Sequence, residues 1–203
     1  MSSCLDAIFS RCSVRRLEDR PLPREVVEEV VRAGIRAPNA SAAEQWFFVV
    51  VESEEKRREV YELLVEAHVY YAFRVRRDWG PGFAERWREK MLRDRVYWAP
   101  VYIAGYLDLR ERVCRDEYSE LERLWAVQSL SAAFENMILA AWSKGIGSVW
   151  LGVPLLMPER FNEVLGVEGE GFELMGMLAI GYPRREVKPR PRAKKLGDVV
   201  RFV

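Results

Sequence analysis

Histidine is almost missing from this chain: His68 is the only one in 203 residues. Ser-His-Asp triads and histidine-rich metal sites both need imidazole, so neither is expected. Cysteine is scarce as well. Cys4, Cys12 and Cys114 show no C-x-x-C spacing, which argues against a disulfide framework and against a zinc site. Amides are few, with 2 Gln and 3 Asn, while Arg outnumbers Lys 26 to 6. Few thermolabile amides and many charges suit a thermophile. A GC-rich genome would raise arginine equally. Net charge is only +1, so no global field draws nucleic acid or an anionic membrane. Apolar runs such as Trp46–Val51 are too short to span a bilayer, and the first six residues lack the two leading regions of a signal peptide. These absences place the protein in the cytoplasm. No G-x-G-x-x-G turn joins a strand to a helix, so no Rossmann domain is expected. An enzyme built from this chain keeps its chemistry on a cofactor.

What is present describes a folded protein. Hydrophobic residues make up 49% and charged residues 31%. The length fits one domain over 1–203, or two chains sharing one larger core. Leu5, Ile8 and Phe9 have helical spacing. Pro23 sits where a helix can begin, and Val26, Val27, Val30 and Val31 form an apolar stripe after it. Ala37-Pro38 ends that helix. Trp46–Val51 reads as a buried strand, and Ser53 can cap the helix that follows. Tyr70–Arg95, broken by Gly80-Pro81-Gly82, reads as helices and loop that could cover a pocket. Its aromatics equally suit plain packing.

Val101–Leu107 predicts a second strand. Asp116 to about Lys144 predicts a long helix. Leu121, Leu124, Trp125, Gln128, Ala132, Met137, Leu139 and Ala140 leave it apolar on more than one face. Such a helix must be covered on several sides, by one core or by a partner subunit. Ser148–Gly152 and Phe172–Ile180 predict further strands, with a short helix at Pro158–Leu165 between them. The tail from Arg184 is rich in proline and positive charge. It ends in a strand-like Val199–Val203, shaped for reaching another subunit or for fraying.

Two segments carry candidate chemistry. In Arg11–Arg16, an extended backbone would put Arg11, Ser13 and Arg15 on one side. Guanidinium groups flanking a hydroxyl make a cradle for a phosphate dianion, although a lone Arg/Ser cluster is more often solvated surface. The second segment, Ala37–Trp46, holds only small or polar residues before its Trp. Small side chains there let the backbone approach a flat ligand.

Together these motifs resemble the nitroreductase family of flavoproteins. That family opens with an R-R-S-x-R segment and a P-L-P or P-V-P step, as in Pro21-Leu22-Pro23. An A-P-S-A-x-N-x-Q-P-W-x-F segment follows, and Ala37-Pro38, Ala40, Trp46 and Phe48 match it in register. Gly145–Gly152 is similar to its G-L-G-x-x-W-I-G strand, and Gly181-Tyr182-Pro183 to its G-Y-P ending. This chain departs from the pattern at Cys12, at Ala42 (usually Asn), at Glu44 (usually Gln) and at Gln45 (usually Pro).

The resemblance implies an α+β nitroreductase-like fold: a central, mostly antiparallel sheet flanked by helices, with a C-terminal arm exchanged between two subunits. It implies a homodimer with tightly bound FMN. Arg11, Ser13 and Arg15 would hold the phosphate and ribityl chain, with Cys12 contributing mainly backbone. Arg192 and Lys194 would add phosphate contacts. Asn39, Ala40 and Ser41 would line the flavin from the neighbouring subunit, and backbone groups of Leu151 and Gly152 would approach its N5 edge. The implied activity passes hydride from NADH or NADPH to an electron-poor small molecule such as a nitroaromatic or quinone. Relatives that degrade flavin, dehalogenate iodotyrosine or oxidise peptide heterocycles leave a specialised activity open, and a non-catalytic FMN-binding module is the reading from another class.

Overall fold

The computed structural model describes residues 4–203. A four-stranded sheet divides the chain into two packed layers. Its strands are β1 (Trp46–Val51), β2 (Val101–Asp108), β3 (Gly147–Leu151) and β4 (Phe172–Gly181), in the order β1-β2-β4-β3. Each neighbouring pair runs antiparallel. The helices are α1 (Cys4–Ser10), α2 (Arg24–Gly34), α3 (Glu54–Tyr70), α4 (Pro81–Asp94), α5 (Ser119–Ser143) and α6 (Pro158–Leu165).

Strand alternation assigns each face. Tyr102, Ala104 and Tyr106 of β2 point into the core shared with α3, α4 and α6. Val101, Ile103 and Leu107 point into the core shared with α2 and α5. A bulge opposite Gly105/Tyr106 shifts β4, so Leu174 and Met177 reach the same core although three residues separate them. Gly176 makes the bulge possible. Its φ is +140°, and a Cβ there would lie 2.9 Å from the Trp150 indole nitrogen.

Several element boundaries follow local chemistry. The Ser53 hydroxyl accepts from Lys56 N at 3.3 Å and caps α3 as expected. Gly80-Pro81-Gly82 does not simply interrupt the excursion. Gly80 caps α4 and Pro81 occupies its first turn, where a missing N–H costs nothing. Ahead of it, α3 runs on into a π-helical turn over Tyr71–Val75.

Two expectations are refined and one is corrected. Helix α1 forms, but Leu5, Ile8 and Phe9 face outward, and only Ala7 is buried. The long helix begins as a 3-10 turn at Asp116–Tyr118 and is α-helical from Ser119. Within one chain its buried stripe includes Glu122, Ala126, Leu130, Phe134, Met137 and Ala141, while Leu121 and Leu124 are exposed. The sheet can cover only one side of a helix, so the other apolar face stays open. Finally, Val199–Val203 forms no strand within the chain and is exposed throughout.

Candidate functional site

The segment 11–15 leaves α1, where Arg11 N still donates to Ala7 O at 2.9 Å, and then runs beside β3. Ser13 pairs with Ser148 in a parallel bridge, and Val14 N donates to Ser148 O at 2.8 Å. Val14 turns inward onto Gly147, where an added Cβ would stand 2.7 Å from it. Glycine at 147 therefore lets the segment lie against the sheet edge. Alternation then turns Arg11, Ser13 and Arg15 away from the buried Val14. Arg15 is exposed, and its guanidinium donates to Ser13 O at 3.3 Å. Arg11 pairs with Glu135 of α5 at 3.4 Å. Arg16 points elsewhere and pairs with Asp94 at 2.8 Å. Burial pushes the Cys12 thiol up, against the downward pull of Arg11 and Arg15, which favours the inert thiol.

A strained turn holds this segment from behind. Tyr97 N donates to Arg15 O at 2.9 Å. Tyr97 has φ +69°, rare for a bulky residue, and its ring stacks on His68 at 4.5 Å. Burial pushes His68 down to about 4, only partly offset by its bond to Leu64 O, so the ring is neutral near pH 7.

The 39–45 loop is built differently. Ser41, Ala42 and Glu44 have φ values of +54°, +53° and +47°. Left-handed backbone costs a non-glycine residue roughly 1–2 kcal/mol. Such strain persists only where surroundings impose it. Ala40 N donates to the Ser129 hydroxyl at 3.2 Å, and Glu44 N donates to Asn39 Oδ1 at 3.0 Å. Buried Gln45 donates its amide to Glu122 at 2.8 Å and to Glu111 O at 3.2 Å. Burial raises the Glu122 carboxyl. Bonds from Val113 N and Gln45, with the nearby Cys114 N–H dipole and the Arg112 charge, bring it net below its ordinary value.

Leu151 ends β3 and is buried, and Gly152 follows it in the open: a Cβ there would meet nothing within 4 Å. The tail leaves the body after two ties, Arg184 N to Arg16 O at 3.2 Å and Arg184 Nε to Leu17 O at 2.8 Å. Beyond them Arg192 and Lys194 are exposed and, among the described residues, have no hydrogen-bond or ion-pair partner. The structure thus brings Arg11, Cys12, Ser13 and Arg15 together beside the strand that ends at Leu151 and Gly152. It leaves Arg192 and Lys194 away from them within one chain.

These groups fit a flavin mononucleotide. A guanidinium and a hydroxyl outside the sheet edge suit a phosphate dianion. The small Ala40, Ser41 and Ala42 side chains keep a flat ring's approach clear, and the space over Gly152 is open. Two surface depressions of about 380 and 340 Å³ lie instead along α3 and α6, lined mainly by residues such as Glu55, Arg58 and Arg160. The first is a solvated charged helix face, and neither has the small or apolar lining a flavin ring needs.

Sequence reasoning missed Glu122, Ser129 and the left-handed residues. A glutamate two positions from an apolar run reads as a solvated helix face. No residue type in Ser41-Ala42-Ala43-Glu44 announces positive φ. Among the described residues, no helix is long and apolar enough to cross a membrane, and no cluster of three or more His, Cys, Asp or Glu could hold a metal.

Comparison with known proteins matches this geometry. A protein of Archaeoglobus fulgidus, to which NADH dehydrogenase/NAD(P)H nitroreductase activity is ascribed, is 32% identical over 92% of this chain and 88% of its own length. A BluB-like flavoprotein from Clostridium difficile superposes with a TM-score of 0.75 at 23% identity, covering 99% of both chains. A nitroreductase with bound FMN from Desulfitobacterium hafniense superposes with a TM-score of 0.73 at 20% identity, covering 100% of this chain and 99% of its own. The Nitroreductase family profile matches residues 8–182, and with the same fold over the whole described chain, this protein belongs to the nitroreductase family.

Proposed function

We propose that this chain is an FMN-dependent oxidoreductase that takes hydride from NADH or NADPH and passes it to an electron-poor acceptor. The observation that carries this is the outward Arg11–Ser13–Arg15 strip bridged to β3, whose far end opens at Gly152. Bound FMN supplies hydride acceptance and delivery at one ring atom, so the protein needs no histidine base. Arg15 and Ser13 bind the phosphate, with Arg11 held ready against Glu135. The backbone at Leu151–Gly152 orients the ring edge. The shallow, open surface over Gly152 leaves room for nicotinamide and acceptor in turn.

The working unit in this reading is a homodimer. Leu5, Ile8, Phe9, Leu121 and Leu124 are 40–76% exposed, an apolar face that one chain leaves uncovered. Two-fold pairing would bring Asn39, Ala40 and Ser41 of one chain against the phosphate strip of the other, and the tail would carry Arg192 and Lys194 across. The excursion supports a narrower variant. Tyr71, Trp79, Phe83 and Trp87 form a continuous ring series with centroids 6.2, 4.2 and 6.4 Å apart. Such a series suits a planar aromatic acceptor, which would stack on it.

The deciding experiment purifies the protein, identifies its cofactor by chromatography after heat release, and follows flavin reduction by each nicotinamide in stopped flow. Yellow protein bleached by NADH or NADPH and reoxidised by quinones supports the reading. Yellow protein that neither nicotinamide reduces points to a binding module. Protein that stays colourless with added FMN removes the proposal. Sedimentation of intact protein and of a chain ending at Pro183 tests the dimer, and a monomer holding stoichiometric FMN defeats it.

A further inference from the structure

The strained loop has an unusual fastening. Its left-handed residues Ser41, Ala42 and Glu44 lie between two anchor points. On one side Ala40 N donates to the Ser129 hydroxyl, and on the other Gln45 donates to Glu122. Both anchors sit on one face of α5, seven residues apart, which is two helical turns or roughly 10 Å. Gln45 is 6% exposed and Glu122 only 1%.

A buried carboxylate is a costly fastener. Its Oε1 accepts from Gln45 and from Val113 N, each at 2.8 Å. Its Oε2 is buried with no hydrogen bond, and the nearest cation, Arg112, stands 3.6 Å away. Buried charge with incomplete partners rarely improves stability over an apolar pair. What it supplies here is direction. One oxygen holds both the entry to β1 and the 109–115 loop, so the chain leaving the strained residues has a single allowed path.

We infer that Glu122 and Gln45 form a positioning pair that holds the Asn39–Glu44 loop in its left-handed shape for contact with the flavin ring. Gln45 stands where the family pattern has Pro, which carries no amide side chain, so this fastening belongs to chains with an amide at that position. The inference rests on the FMN reading above. Neither residue touches flavin. Both act through the loop.

The test uses the full-length holoprotein and its reconstituted apoprotein. FMN affinity is read by flavin fluorescence, together with the absorbance band shape and reduction potential of bound FMN. Gln45→Glu sets two carboxylates against each other and should weaken FMN binding roughly tenfold or more. Adding Glu122→Gln exchanges donor and acceptor. That double variant restores a donor–acceptor pair but leaves the Q45E carboxylate facing the Glu111 carbonyl oxygen, so it should recover part of the lost FMN affinity, about threefold or more over Q45E alone. If Q45E fails to fold, Gln45→Met reads the same pair: it deletes the donor at nearly constant volume and should shift band shape and potential while far-UV dichroism is unchanged. Bound flavin with wild-type affinity, spectrum and potential in Q45M overturns the inference, as does a folded Q45E that the exchange does not rescue. Wild-type protein that binds no FMN defeats the function itself. Wild-type binding with unaffected variants defeats only the positioning pair.

Discussion

The two segments that make up the candidate site obtain their shapes in opposite ways. The segment 11–15 has no positive φ and is fixed by a bridge to Ser148 and by Val14 turning onto Gly147. The 39–45 loop is strained at three non-glycine residues and is held by side chains far away in sequence, Ser129 and Glu122. Charge recognition needs only donors on one side of an ordinary strand. One shape follows from local alternation, while strained backbone persists only with anchors from elsewhere in the chain.

The largest effect should fall on both segments at once. Phe134 is fully buried on α5, and its ring meets Trp150 edge-on at 5.0 Å. Phe134→Ala should cost about 3–5 kcal/mol of unfolding free energy. A loss under about 1 kcal/mol in chemical denaturation would mean that α5 is not the platform of the site.

Acid separates the two segments. His68 backs Tyr97, which holds Arg15 O. Its folded value of about 4 lies below the ordinary 6.5. Between those values the unfolded chain takes a proton that the folded chain refuses. Stability from this group is therefore complete above the ordinary value and is lost as pH falls toward about 4, by at most about 3 kcal/mol. His68→Phe keeps the ring stack and should flatten that part of the stability–pH profile. Equal acid slopes in the two proteins would remove His68 from the account.

Arg15→Ala should weaken FMN binding by roughly 1.5–3 kcal/mol. Arg16→Ala, whose side chain pairs with Asp94, should do much less. Equal losses in isothermal titration would contradict the one-sided strip. The smallest effect sharpens the picture of the loop. Ala42→Gly removes a left-handed penalty while adding chain entropy to the unfolded state, for a net gain near 0.5 kcal/mol. A thermal melt shifted downward would show that Ala42 is not strained.

Alternation and helical spacing were enough to find all four strands and the long helix, because burial acts on each residue in proportion to its apolar surface. Val14, between Ser13 and Arg15, is buried, while Arg15 is exposed. The same spacing found α1 and the several apolar faces of α5, but not what covers them. Leu5, Phe9, Leu121 and Leu124 look like core, and within one chain nothing lies over them. Arg192 and Lys194 sit in an exposed tail, away from the 11–15 segment within one chain.

The sequence by itself determined the strands, the long helix and the family, because these follow from local patterns of side-chain chemistry. Only the tertiary structure decided the shape of the 39–45 loop and the burial of Glu122. Positive φ at Ser41, Ala42 and Glu44 is unfavourable for each residue alone. Three contacts flank those residues: the bonds to Ser129 and within the Glu122–Gln45 pair cross 89 and 77 residues, and the Asn39 bond closes a turn inside the loop.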